Sequence, residues 1–418
     1  MPLRASALVA DVAMVPGPDG GVYVAVATYD DPDDGNGSTI LAAYDGDGGM
    51  RSGWPIAVSG ADRCSLHSAG DGTVRAVCET RAFAFDSAGR SLPGWPVDLP
   101  GYVSSVRLVD GELYLHVAGG LSRIDERGTL SVGVSLTPPS RSDECWGYEV
   151  LGADGSLYVV TRCLDPAKDT TISAFDLGGA RPGWPIRVTP DVSDPVIGPE
   201  GRVYVLQQAS TGGDGDWPAR VLVFTPDGRP LAGWLVPPAE ALLRRGGGLN
   251  ETAFPAPPLI AEDGSSWAVA DTVAYAFDAA GHVRPGWPYR STVGLGDVAY
   301  CGPCSMDCIP WQTEPLLGPD DVLYLLQGAS SATVGGQITA IGLDGKVRGG
   351  WPVVLGRPGA EFWSAAAGSD GTLYALAIEP EQTSAPTADP CTPPPASATI
   401  LAIGPDGEVR YRVTLVEP

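Results

Sequence analysis

Short apolar runs, such as Val221-Leu-Val-Phe224 and Ile338-Thr-Ala-Ile341, alternate with polar turns along the whole chain. Two kinds of turn punctuate them. The first is an Asp-Gly, or a near equivalent, followed by an aromatic: Asp19-Gly20 with Tyr23, Asp110-Gly111 with Tyr114, Asp154-Gly155 with Tyr158, Glu200-Gly201 with Tyr204, Asp263-Gly264 with Trp267, Asp320-Asp321 with Tyr324 and Asp370-Gly371 with Tyr374. At Asp71-Gly72 the aromatic slot holds Arg75. Asp-Gly between apolar alternations predicts a hairpin, because glycine accepts positive φ; its strands are A and B. The second turn carries Gly48, Gly89, Gly128, Gly179, Gly228, Gly281, Gly345 or Gly407. An apolar strand, C, precedes it. A strand D follows that opens on Gly-Trp-Pro at Trp54, Trp95, Trp184, Trp287 and Trp351, and on Gly-Trp-Leu at Trp234. The third and eighth copies lack the tryptophan and read Val132-Gly133-Val134 and Tyr411-Arg412-Val413.

Eight copies of a four-stranded antiparallel unit predict an all-β, eight-bladed β-propeller in one domain, with blades near 7–58, 59–100, 101–137, 143–189, 190–237, 252–291, 311–356 and 360–416. The stretches Ala84-Phe-Asp86…Gly89…Trp95 and Ala276-Phe-Asp278…Gly281…Trp287 resemble the Ala-x-Asp…Gly…Trp docking pattern of quinoprotein-type propellers with PQQ-like repeats. That resemblance implies that each tryptophan packs between neighbouring blades. It also brings PQQ with calcium as an alternative cofactor set.

The A–B and C–D turns are short. The B–C links at 30–38, 164–169, 209–219, 329–336 and 379–397 vary, as do the D–A links at 237–252 and 292–312. In an up-down-up-down blade these links leave from one end, so the elaboration is expected on one face, where binding usually resides.

Composition narrows the partners. The formal net charge of −24 excludes nucleic acid, which attracts lysine and arginine. No apolar run is long enough to span a membrane. Residues 1–15 carry Asp11 and are needed as a strand, so an export signal is expected to have been removed. The eight cysteines are even in number. Cys64 and Cys78 are placed symmetrically about Asp71, and Cys145 and Cys163 about Asp154, as residues facing each other across a hairpin would be. Both pairs are expected to be disulfides. Cys301, Cys304, Cys308 and Cys391 suit two more disulfides or a metal centre. Their pairing is open.

Candidate chemistry lies outside the repeat. Asp31, Asp33, Asp34 and Asn36 gather oxygen ligands in one B–C link, a possible calcium site against a merely solvated acidic loop. Trp146, Trp311 and Trp363 stand at the entrances of A strands, which line the central channel, and Trp217 in a B–C link. Asp194, Glu314 and Glu361 accompany them, with Asp11. Aromatic platforms beside carboxylates suit a sugar or a cationic ligand. His67, His116 and His282 are too dispersed for one metal site, and neither a Gly-x-Ser-x-Gly elbow nor a phosphate loop is present. Together these features predict a monomeric, extracellular or periplasmic, disulfide-stabilised scaffold that binds a protein or glycan through its loop-rich face, without catalysis. The alternatives are a PQQ-dependent dehydrogenase, a carbohydrate-active propeller enzyme and a periplasmic assembly scaffold.

Overall fold

The computed structural model describes residues 8–29, 37–59, 61, 63–135, 145–163, 170–188, 192–207, 219–231, 233–235, 257–270, 273–291, 297–300, 309–312, 315–327, 335–380 and 396–416. Each Asp-Gly turn closes a hairpin. Gly20 supplies the left-handed residue at φ 78°, and where glycine is missing Asp321 takes φ 55°. The aspartate fixes the turn with its side chain: Oδ1 of Asp71, Asp154, Asp263 and Asp370 accepts the amide two residues on. In the C–D turns Asp45, Asp86, Asp125 and Asp278 accept two amides each.

The strands form eight consecutive antiparallel sheets, an eight-bladed β-propeller. The first sheet runs Leu8–Pro16, Val22–Tyr29, Gly37–Tyr44 and Ile56–Ser59. The second runs Cys64–Ser68, Val74–Cys78, Arg81–Phe85 and Val97–Asp98, and the third Val103–Val109, Glu112–Val117, Gly120–Ile124 and Leu130–Ser135. The fourth, Cys145–Leu151, Leu157–Cys163, Thr170–Asp176 and Ile186–Val188, carries a fifth short strand, Gly179–Ala180, in its C–D turn. The fifth comprises Val196–Ile197, Val203–Gln207, Arg220–Phe224 and Trp234–Leu235, and the sixth Leu259–Ile260, Ser266–Ala270, Val273–Phe277 and Tyr289–Arg290. The seventh comprises Leu316–Leu317, Leu323–Gln327, Gln337–Ile341 and Val353–Val354, and the eighth Glu361–Ala367, Leu373–Pro380, Ala396–Ile403 and Val409–Val416. A separate hairpin pairs Asp297–Tyr300 with Ile309–Gln312. Trp311 therefore stands in this added hairpin, opposite Val298, and not at the entrance of the seventh A strand where the repeat spacing puts it. The repeat could not signal a hairpin that no other unit has.

Two compact units make up the chain. One comprises Met1–Glu79, Phe83–Ser91 and Ser291–Pro418; the other comprises Thr80–Ala82 and Leu92–Arg290. In the first unit, Val22, Val24 and Val26 of the first sheet share a core with Leu376, Ile400 and Leu415 of the eighth. Both of these sheets are built from their own stretch of chain, with no strand exchanged among the described residues. In the second unit, Val160 and Trp184 of the fourth sheet share a core with Val203, Val205 and Phe224 of the fifth. B strands such as Val74–Cys78 and Leu323–Gln327 are buried along their whole length and read as near-continuous apolar runs.

The tryptophans seal these seams. Trp54, Trp95, Trp184, Trp287 and Trp351 are each exposed by less than a tenth, and their bonds to the following proline are cis. The two sequence anchors meet: Tyr23 and Trp54 lie 5.7 Å apart, Tyr158 and Trp184 5.6 Å, and Tyr324 and Trp351 5.5 Å. Four of the indole nitrogens donate to a carbonyl in the next sheet's C–D turn, Trp54 to Ser87, Trp95 to Glu126, Trp184 to Pro226 and Trp351 to Pro405. The glycine before the tryptophan permits this approach. A Cβ on Gly183, at φ 85°, would come within 1.9 Å of the Asp227 carbonyl oxygen. Trp234, followed by leucine, behaves differently: its ring lies against Gly281 and its buried Nε1 has no partner among the described residues. At the seam from eighth to first sheet Tyr411 replaces the tryptophan, its ring on Gly48 and its hydroxyl donating to the Asp45 carbonyl. Tyr23 and Tyr374 add a second tie, donating to the carbonyls of Gly72 and Gly20 in the neighbouring A–B turns.

Sequence inspection missed an arginine device. Arg51, Arg181 and Arg284, three residues before the Trp, and Arg410, one residue before Tyr411, pair with Asp19, Asp154, Asp263 and Asp370 of their own sheets' A–B turns. The second sheet has Leu92 there, and Arg75 from the aromatic slot supplies the cation instead, bonding to Thr73, which itself donates to Asp71. These contacts make the turns acid-sensitive. The Arg51 guanidinium lowers the pKa of Asp19, the Thr73 hydroxyl that of Asp71, and turn amides those of Asp86, Asp125, Asp263 and Asp278. A lowered carboxylate contributes stability that is complete above the ordinary aspartate range and is lost as pH falls through the native value. Urea midpoints are therefore expected to drop from about pH 4 downward. Asp278→Asn should flatten that slope; an unchanged slope in a set of such variants would remove the turns from the account.

Candidate functional site

Within a sheet, the B–C link and the link to the next A strand leave from the same end. The described residues near that end in the third to fifth sheets include Ser104, His116, Arg162 and Asp194. Arg162 is the clearest. It sits in an otherwise apolar B strand, Val159-Val-Thr-Arg162, directly opposite Trp146 in the ladder. Its side chain is 4% exposed, a position that a guanidinium occupies only when paired. Nη2 donates to Oδ1 of Asp194 at 2.9 Å and to the Val192 carbonyl at 3.0 Å. Its Cζ lies 5.1 Å from the centre of the Tyr148 ring. The planar cation thus backs the ring and holds the carboxylate. Tyr148 remains 43% exposed and the Asp194 side chain 41%. A partly exposed aromatic ring and a partly exposed carboxylate, both in contact with one guanidinium, are presented together.

Beside them, on the third sheet, Ser104 is an extra residue in strand A. His116 pairs with Ser105 and Val117 with Val103, so Ser104 bulges from the ladder and is exposed. Its Oγ lies 2.6 Å from His116 Nδ1. His116 is nine-tenths buried. That burial lowers its pKa, while the Glu149 carboxylate of the fourth sheet acts in the opposite direction. The imidazole is neutral at pH 7.

In the other unit, Trp363 occupies an equivalent bulge in the eighth sheet, between Phe362 opposite Ala377 and Ser364 opposite Leu376, and is 43% exposed. Glu361, two residues earlier on that strand, is half-buried, and burial raises its pKa. Asp11 lies 3.9 Å from Arg63 on the surface. Glu379 pairs with Arg357 at 3.5 Å.

Of the residues the sequence singled out, Asp194 joins a defined arrangement, and Trp363 shares a strand with Glu361. Trp146 lies in the fourth A strand and Trp311 in the added hairpin. Trp217, Glu314, Asp31, Asp33, Asp34, Asn36, Cys301, Cys304, Cys308 and Cys391 lie outside the described residues. Cys64 and Cys78 are directly opposed and form a disulfide. Cys145 and Cys163 are directly opposed in the fourth ladder. Among the described residues no three His, Cys, Asp or Glu side chains gather to hold a metal ion. No helix among them is long and apolar enough to cross a membrane. Tyr148, Arg162 and Ser104 went unnoticed in the sequence. A charged residue inside an apolar B strand is the signal that points to Arg162, and a bulge leaves none.

No family model matches the chain, and no curated protein does. Among solved structures, apo AztD from Citrobacter koseri is similar over 90% of this chain and 92% of that one, at 11% identity and a TM-score of 0.53. A second structure of Citrobacter koseri AztD covers the same shares at 12% identity and a TM-score of 0.51. A europium-containing methanol dehydrogenase covers 99% of this chain and 82% of that one at 11% identity, but its TM-score of 0.39 carries no argument. At these identities the likeness shows the fold alone.

Proposed function

We propose that this chain is an exported propeller that binds a glycan at the loop-bearing ends of its sheets. The observation that carries the proposal is the Tyr148–Arg162–Asp194 arrangement. A sugar ring stacks its apolar face on an aromatic, while a fixed carboxylate accepts from its hydroxyls. Arg162 immobilises both groups before the ligand arrives, which lowers the ordering cost of binding. Trp146 and Trp217, in the same unit, are assigned further contacts of the same chemistry; Trp311, Trp363, Glu314 and Glu361 are assigned a separate set in the other unit, and Asp31, Asp33, Asp34 and Asn36 a calcium-binding loop. Export fits the Cys64–Cys78 disulfide, since such bonds persist in oxidising compartments. Cys145 and Cys163 are assigned a second disulfide on their identical register.

A glycan array followed by calorimetry on the intact chain tests the proposal. Tyr148→Ala should weaken the best glycan about ten- to a hundredfold, equivalent to about 1.4–2.8 kcal/mol, with the thermal midpoint unchanged, whereas Asp194→Asn should weaken it similarly and also lower the midpoint, because it leaves the buried Arg162 without its counter-charge. Failure of every glycan to bind, with a protein partner recovered instead in a manner sensitive to the same two substitutions, would replace the glycan by a protein. Wild-type binding that is indifferent to both would remove the site.

A further inference from the structure

The Ser104–His116 pair has no role in the glycan reading and stands on different side chains. Three features single it out. The bulge lifts Ser104 from the regular alternation of its strand and leaves its hydroxyl exposed, although the histidine it meets is nine-tenths buried. The 2.6 Å separation is a short, well-formed contact, whereas the Ser104 hydroxyl lies 3.4 Å from the His116 carbonyl, the bond expected if the serine merely tied down the bulge. Glu149, on the adjoining strand, supplies a negative charge to the imidazole from the neighbouring sheet. A reachable hydroxyl, a buried base within hydrogen-bond distance and an acidic group acting on that base are the parts an activated serine needs.

We propose that Ser104 is a nucleophile toward carboxylic esters, with His116 as its general base. Oγ bonds to the ester carbonyl carbon as its proton passes to Nδ1. When the carbon–oxygen bond to the leaving group breaks, that proton goes with the alkoxide, releasing an alcohol and leaving an acyl-serine. Water then attacks the acyl carbon and gives one proton to Nδ1. The acid departs and the proton returns to Oγ. The step requires the tautomer in which Nε2 bears the hydrogen and Nδ1 accepts.

The test uses the full chain, a fluorophosphonate probe and p-nitrophenyl acetate. One probe should attach per chain, at Ser104 by peptide mass, and ester hydrolysis should exceed that of Ser104→Ala by about a hundredfold or more, the scale of general-base assistance. Because Ser104 is exposed, that variant is expected to melt as the wild type does. Ser104→Cys keeps a nucleophile and should take up iodoacetamide faster than an exposed cysteine elsewhere on the chain. Hydrolysis should rise with pH through one ionisation below the usual histidine value and level off by neutrality. An unlabelled wild-type chain, or equal hydrolysis by wild type and Ser104→Ala, would reduce the pair to a bulge tie and overturn the proposal. Loss of glycan binding with labelling intact would strike the binding proposal alone.

Discussion

Trp184→Ala is expected to lower the stability of the chain by about 3–5 kcal/mol, the range for removing a large buried aromatic. The indole fills the seam between the fourth and fifth sheets. It packs 5.6 Å from Tyr158 and against the core that Val203, Val205 and Phe224 complete. No small side chain can refill that space, because Gly183 brings the backbones of the two sheets too close for either to relax inward. Trp184→Phe separates the contributions. It keeps much of the apolar contact but removes the 2.9 Å bond to the Pro226 carbonyl, at a further cost of about 1 kcal/mol. The same exchange at Trp234, whose Nε1 has no partner among the described residues, should cost less. Urea denaturation of the four proteins decides the matter. A Trp184→Ala chain within about 0.5 kcal/mol of wild type, the scatter of surface substitutions, would refute the wedge.

Replacing Cys64 and Cys78 together by alanine is expected to cost about 3 kcal/mol, the loop-closure contribution for a cross-link of this span; the two are 14 residues apart. The pair ties the A–B hairpin of the second sheet at the end remote from its Asp-Gly turn, where the ladder is otherwise free to fray. Reductant should lower the urea midpoint of wild type more than that of the double variant. A residual sensitivity in the variant is the expected trace of Cys145–Cys163. Masses with and without reductant, after blocking of thiols, count the bonds directly. Identical midpoints for wild type and variant under oxidising conditions would deny the second-sheet bond any stabilising role.

Much of the architecture was legible because it repeats. Asp-Gly with an aromatic three residues on, and glycine before tryptophan, recur often enough to give strand order, sheet number and cysteine register, and Cys64 does oppose Cys78. Exceptions were legible only as exceptions. The sequence shows that Trp is missing before Val413, but not that Tyr411 reaches across to Asp45 in its stead, since the partner is more than 360 residues away. Arg51, Arg181 and Arg284 recur at a fixed distance from the tryptophan and were open to notice, yet their role depends on a turn in another part of the sheet. The candidate sites were the least legible. Tyr148 and Trp146 share one spacing, and only the fold shows that a buried Arg162 backs Tyr148. Ser104 looks like any serine in a strand until the ladder skips it.

The outer strands carry one more consequence. Where Gly-Trp-Pro opens strand D, or Gly-Trp-Leu in the fifth sheet, the strand is two to four residues long, and in five of these six sheets a proline removes one amide donor. The sheet rims there offer little to an arriving chain. The third and eighth sheets instead end in longer strands, Leu130–Ser135 and Val409–Val416, each with a bulge in its pairing. Arg410 and Arg412 stud the second of these with exposed charge, a familiar guard against edge-to-edge pairing. Leu130–Ser135 has no charged residue, and Val132 is 67% exposed. At high concentration, self-association would begin along that strand.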